Sequence, residues 1–157
     1  MNRTNSDVSP GMRRGILQMP EVNVVIFSFL LNFVWEMWQT PFFIGMSDTP
    51  HWEAVKVCTR AAAGDIVIML VAFWGIAMAN RSRAWFLHSR PRDAASFTSI
   101  GFFITALIEW LATGPLGRWT YAETMPVVPL LGIGLLPALQ WLLLPPLVLW
   151  FMRRQLS

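Results

Sequence analysis

The chain has 157 residues, 55% hydrophobic and 13% charged, with a formal net charge of +3 at neutral pH. Soluble domains of this length carry about a quarter charged residues. Half that fraction, combined with long apolar runs, excludes the soluble classes and specifies a polytopic membrane protein built as one domain.

The first 20 residues, Met1–Pro20, are rich in Ser, Asn, Arg, Pro and Gly and read as a flexible tail. No small-residue cleavage site follows, and the next apolar run is too long for a signal peptide. Residues 21–157 then form an all-α transmembrane domain, because four segments reach the roughly 20 residues a bilayer crossing needs. The predicted spans are Val22–Phe43, Val57–Ala79 (with a helix start as early as Trp52), Ala95–Thr113 and Val127–Phe151. Nine of the twelve basic residues fall in the tail, the middle loop and the C-terminus, and only Lys56, Arg60 and Arg118 lie on the opposite side. The positive-inside rule therefore predicts a four-helix bundle in the inner (plasma) membrane with both termini cytoplasmic.

The first span carries Ser28, Asn32, Glu36 and Gln39 at helical spacing, which forms one polar stripe. Trp35 and Trp38 flank Glu36. On the second span Asp65 follows Ala61-Ala62-Ala63-Gly64, where small residues permit close helix approach. The third span repeats the stripe with Thr98, Gly101, Thr105, Glu109 and Thr113, and Trp110 adjoins Glu109. The fourth contributes Gln140, beside Trp141 and three residues after Pro137, where a lost backbone hydrogen bond predicts a kink or a passive packing bend.

At 1.5 Å per residue, Glu36 and Asp65 come to about 21 Å above the basic side, Glu109 to about 18–21 Å and Gln140 to about 16 Å. Each helix thus offers a strongly polar group in the outer half of the membrane. An acid at mid-membrane costs about 2.5–3.5 kcal/mol on insertion scales, so three cost roughly 8–10 kcal/mol. Protonation, cationic partners or water must offset that. Carboxylates crowded in low dielectric are expected to keep at least one proton.

Two structural readings stand beside a functional one. Glu36 or Glu109 pairs with Lys56 or Arg60 to lock the bundle, or Asp65 bonds to nearby backbone. The functional reading makes Glu36, Glu109 and Asp65 catalytic, with Glu36 and Glu109 the proton-exchanging pair and Asp65 tuning them. Asn32, Gln39, Thr105, Gln140, Trp35 and Trp110 would then contact substrate.

Among the nine tryptophans, Trp52, Trp85, Trp119 and Trp150 fit an interfacial belt. The methionines show no copper-binding cluster and read as core filler. The two histidines, His51 and His88, fall outside the apolar runs, so neither a resident metal nor a cofactor is expected. The outer loop GPLGRWTYAETMP forms either a lid with Arg118 as anion contact or an interfacial anchor. The inner loop RSRAWFLHSRPR is expected to hold anionic lipid head groups.

The dispersed arginines and a pI of 10.0 point to membrane lipids rather than nucleic acid as partners. Three functions fit the pattern. The first is an enzyme doing acid–base chemistry, isomerisation or cyclisation, on a lipid-soluble or isoprenoid substrate. The second is a proton- or cation-coupled transporter or channel component, which needs a homo-oligomer. The third is an accessory subunit of a larger membrane complex. Small helical membrane enzymes that isomerise or cyclise sterols and isoprenoids also combine buried acids with aromatic walls; the likeness is one of kind and transfers no site.

Overall fold

The computed structural model describes residues 15–157. Most of the expected N-terminal tail therefore lies outside the described residues. Four long helices follow: α1 (Pro20–Gln39), α2 (His51–Ala79), α3 (Pro91–Thr113) and α4 (Leu135–Leu156). All four are long and apolar enough to cross a membrane.

Proline sets two of the starts. Pro20 and Pro91 open α1 and α3, where the missing N–H is not needed and φ is already helical. Met19 and Arg90, directly ahead of them, are extended, as the proline ring demands. The Asp93 carboxylate accepts the Arg90 N–H at 3.0 Å and secures the first turn of α3. α2 begins at His51, immediately after Pro50, which matches the earlier of its two expected starts.

Neighbouring helices pack in sequence order, and α4 closes the ring against α1. Ala54, Cys58 and Ala62 are buried at one helical spacing along α2. Such small side chains allow close approach of a neighbouring helix. Two ends result. The arginine-rich end holds the 80–90 loop and the C-terminus; the lid end holds the loop between α3 and α4.

The apolar core occupies the arginine-rich half, with Phe73, Phe86, Phe97, Val148 and Met152 all buried. Trp85 corrects its assignment to the interfacial belt. It sits on a 3-10 turn (Trp85–His88), is 5% exposed, and packs its ring 5.7 Å from both Phe73 and Phe97. The turn aims the indole inward, which no linear pattern of a loop reveals. Trp52 and Trp150 are exposed.

The fourth span is also corrected. Residues 127–134 are apolar but not helical; they fold back on themselves, with Val128 N–H on Ile133 C=O at 2.9 Å and Leu135 N–H on Pro126 C=O at 2.7 Å. Gly132, at a φ of +66°, makes the reversal. Pro137 accordingly falls in the first turn of α4, where it removes no helical hydrogen bond, so the expected kink there has no cause. The prolines inside α4 are Pro145 and Pro146.

Candidate acid centre

The stripe on α1 turns inward. Ser28, Asn32 and Gln39 are buried and Glu36 is half-buried between them. The Asn32 side-chain amide donates to the Ser28 carbonyl at 2.8 Å and to Ser28 Oγ at 3.0 Å. Both donor hydrogens are thereby used, and the Asn32 Oδ1 is left facing α4. Gln140, 3% exposed, meets it there.

Gln140 is the hub. Its Nε2 lies 2.8 Å from Asn32 Oδ1, 3.0 Å from Asp65 Oδ2 and 3.2 Å from Glu36 Oε1. One amide nitrogen on α4 therefore ties α1 and α2 together through two acids, and the two carboxyl groups lie no farther apart than two hydrogen-bond lengths. A primary amide has only two hydrogens to give. Three oxygens crowd around them, so one acceptor too many is present.

No cation among the described residues relieves the shortage. The ion pairs among the described residues are Lys56–Glu53, Arg83–Glu21 and Arg92–Asp93, and none involves Glu36, Asp65 or Glu109. The locking pair expected with Lys56 or Arg60 is not formed: Lys56 turns to Glu53 at 2.6 Å, one turn away on its own helix. No group of His, Cys, Asp and Glu side chains suited to a metal ion occurs among the described residues.

Glu109 belongs to a second network. The Tyr121 hydroxyl donates to its Oε2, and Trp119 Nε1 approaches the same oxygen at 3.4 Å. The Gly134 N–H in turn donates to the Tyr121 hydroxyl at 2.9 Å. A relay of three groups thus runs from the start of α4 through the lid to α3. Burial, and then the Glu109 carboxylate beside it, push the Tyr121 phenol above its ordinary range. Glu109 makes no hydrogen bond to Glu36, Asp65 or Gln140 among the described residues.

The lid is held by backbone pairing. Phe43 and Tyr121 form an antiparallel bridge, with Ile44 N–H on Thr120 C=O at 3.0 Å and Ala122 N–H on Phe42 C=O at 2.9 Å. This clamps the loop to the end of α1 and delivers Tyr121 over Glu109. Gly134 leaves room where the parts meet: an added Cβ would come within 3.2 Å of Tyr121 Cε1 and 3.1 Å of Pro137, so these neighbours would have to give way slightly. The anion contact is therefore Tyr121 with Trp119, whereas Arg118 is exposed.

Around the centre several buried polar atoms have no partner: Gln39 Oε1, Thr105 Oγ1, Trp35 Nε1 and Trp141 Nε1. Gln39 is 4% exposed and its amide also lies beside Glu36. Trp141 is packed tightly against α3, where a Cβ on Gly101 would fall 2.1 Å from the indole. Trp35 is half-buried and meets Trp38 edge to face at 5.4 Å. Trp110 is 53% exposed on the outside of the bundle, because its neighbour Glu109 takes the inward direction.

The nine residues singled out from the sequence thus divide. Asn32, Glu36, Asp65 and Gln140 share one network, with Gln39 beside Glu36. Glu109 lies in the lid network, one helical turn from Thr105. Trp35 is on the rim, and Trp110 faces away. Tyr121 was the residue missed, although it is the one tyrosine in the chain and sits in a loop with Trp119. Comparison with known families, characterised proteins and solved structures finds no match to this chain.

Proposed function

We propose that this is a multi-pass inner-membrane enzyme, both termini cytoplasmic, that performs acid–base chemistry on a lipid-soluble substrate of isoprenoid type. One observation carries the reading: two acids from different helices compete for one amide that has too few hydrogens, with no cation paired to them among the described residues. The missing hydrogen is supplied most simply by a proton that Glu36 and Asp65 hold between them.

That proton is the reagent. Glu36 transfers it to one carbon of a substrate double bond, which leaves a cation on the other carbon. Loss of a proton from an adjacent carbon to a second carboxylate re-forms the double bond in a new position. The sequence is redox-neutral and regenerates the acid by proton exchange between the carboxyl groups. Glu109, the third acid of the bundle, is the acceptor, and its contacts with Tyr121 and Trp119 keep it an acceptor of hydrogen bonds. Asp65 is a positioning residue that shares the proton of Glu36. Trp35 on the rim offers a π-face to the cation.

The test is deuterium incorporation. The full-length protein in lipid nanodiscs is incubated in D₂O with a panel of isoprenoid alkenes, and carbon-bound deuterium is read by mass spectrometry. Incorporation by the wild type that disappears in Glu36→Gln and Glu109→Gln, with insertion and folding unchanged, is the expected result. Equal incorporation in wild type and both variants rules the reading out.

A second reading is favoured by the surplus of acceptors, which also suits a bound proton or monovalent cation in a transport component. It requires pH-dependent flux in vesicles that Asp65→Asn abolishes, and an oligomer to provide the path.

A further inference from the structure

Arg81 occupies a backbone position that glycine normally fills. α2 ends at Ala79 and Asn80 caps it; Arg81 follows with a φ of 50°. The Ser82 N–H reaches the Ala77 carbonyl at 3.0 Å and the Arg81 N–H reaches the Met78 carbonyl at 3.1 Å. This is the helix-ending motif in which a left-handed residue satisfies the last carbonyls, a role for which a side chain is a disadvantage. A strained arginine in place of glycine points to a use for its side chain.

The use is visible beside it. Trp74, Ala77, Met78, Arg81, Ser82 and Arg83 line an open groove of about 530 Å³. Trp74 and Met78 are exposed, at 47% and 75%. The two arginines differ in their partners. Arg83 is gripped by Glu21 through two hydrogen bonds, of 2.8 and 2.6 Å. Arg81 has no ion-pair partner among the described residues. Its charge is therefore uncompensated, at the end of an apolar helix and directly above an apolar trough.

We propose that this groove seats one anionic phospholipid, with Arg81 on the phosphate and Trp74, Ala77 and Met78 along an acyl chain. The geometry matches a lipid at both of its ends: a cation at the depth of head groups and an apolar wall descending from it. The excess of basic residues at this end of the bundle adds to the attraction for negative head groups. Of the arginines in the loop, Arg81 is the one whose position and lack of a partner leave it free for this contact. The proposal is independent of the chemistry at the acid centre.

The experiment uses full-length protein in nanodiscs with equal phosphatidylglycerol and phosphatidylcholine, followed by native mass spectrometry under increasing activation. One phosphatidylglycerol is expected to stay bound after phosphatidylcholine has been stripped. Arg81→Gly suits the turn, so it keeps or raises the unfolding midpoint, yet retention of phosphatidylglycerol falls about fivefold. Arg81→Asn, which also tolerates the left-handed conformation, gives the same loss. Arg92→Gln, outside the groove, retains the lipid. Equal retention of the two lipids by the wild type, or undiminished phosphatidylglycerol on Arg81→Gly and Arg81→Asn, overturns the proposal.

Discussion

At the arginine-rich end the space between the helices is filled by Phe73, Trp85, Phe97 and Met152; at the lid end the same space holds Asn32, Glu36, Asp65, Gln140 and Glu109. Both ends carry a loop tied down at two points. In the first, Arg83 grips Glu21 on α1, and Arg153 on α4 donates to the Phe86 carbonyl at 2.7 Å and to Ser89 Oγ. In the second, backbone pairing to residues 42–44 and the Tyr121–Glu109 contact do the same. The difference lies in what the loops cover. One closes over close-packed aromatic rings, among which the Trp85 indole N–H is left without a partner, the other over several acids whose hydrogen bonds do not balance. A bundle could be locked by the first device alone, so the second half is where the proposed chemistry is placed.

Substitutions can break that contrast, and the largest effect is expected in the apolar half. Phe73 is fully buried, and Phe73→Ala removes a ring that touches Trp85 and Phe86. A loss of about 3–5 kcal/mol is expected in reversible unfolding from mixed micelles, with chemistry per folded molecule unchanged. In the polar half, Tyr121→Phe removes a hydrogen bond to a carboxylate and leaves the Gly134 N–H without its acceptor. The expected loss is about 1.5–3 kcal/mol in the same assay.

Tyr121 also predicts an alkaline limit. Its folded-state proton is held more tightly than the unfolded phenol's, so its contribution is fully present below about pH 10 and is lost as pH rises further. As the chain has one tyrosine, tyrosinate absorbance reads this residue alone. In folded protein its appearance is delayed past about pH 10, and unfolding in denaturant restores the ordinary titration. A folded-state titration at the ordinary value contradicts the buried contact.

Gln140→Leu sharpens the comparison because its stability and chemistry should part. Removing the shared donor takes both its hydrogens from the oxygens around it and costs about 1–3 kcal/mol for each acceptor left unpaired. Deuterium incorporation should nevertheless fall to background, since the proton no longer has a fixed place. Smallest of all is the loss from Glu21→Gln. Its partner Arg83 is exposed, so the effect on the unfolding midpoint is slight and disappears at high salt.

Much of this was legible in the sequence, for physical reasons that differ by residue. The apolar runs of α1, α2 and α3 are long, so the existence of these helices followed from length, whereas their starts at Pro20, His51 and Pro91 lie ahead of the expected ones because proline sets them. The inward stripe Ser28–Asn32–Glu36–Gln39 followed from helical spacing, and depth arithmetic placed Gln140 level enough with Glu36 and Asp65 to meet them. The pairing within the acids did not follow. Glu36 was matched with Glu109, but the shared amide brings it to Asp65, because which groups touch depends on helix rotation rather than on depth. The start of α4 was set too early, as residues 127–134 are apolar yet committed to the lid by pairing among themselves. Tyr121 is delivered to Glu109 by the bridge to Phe43, a contact that spans about half of the chain and leaves no local pattern.

The account rests on a proton retained between Glu36 and Asp65, and difference infrared spectroscopy of the protein in lipid observes it directly. The prediction is a protonated-carboxyl C=O band at neutral pH that shifts in D₂O and is lost or displaced in both Glu36→Gln and Asp65→Asn. A wild-type spectrum containing carboxylate bands alone, unchanged by either substitution in the protonated-carboxyl region, contradicts it.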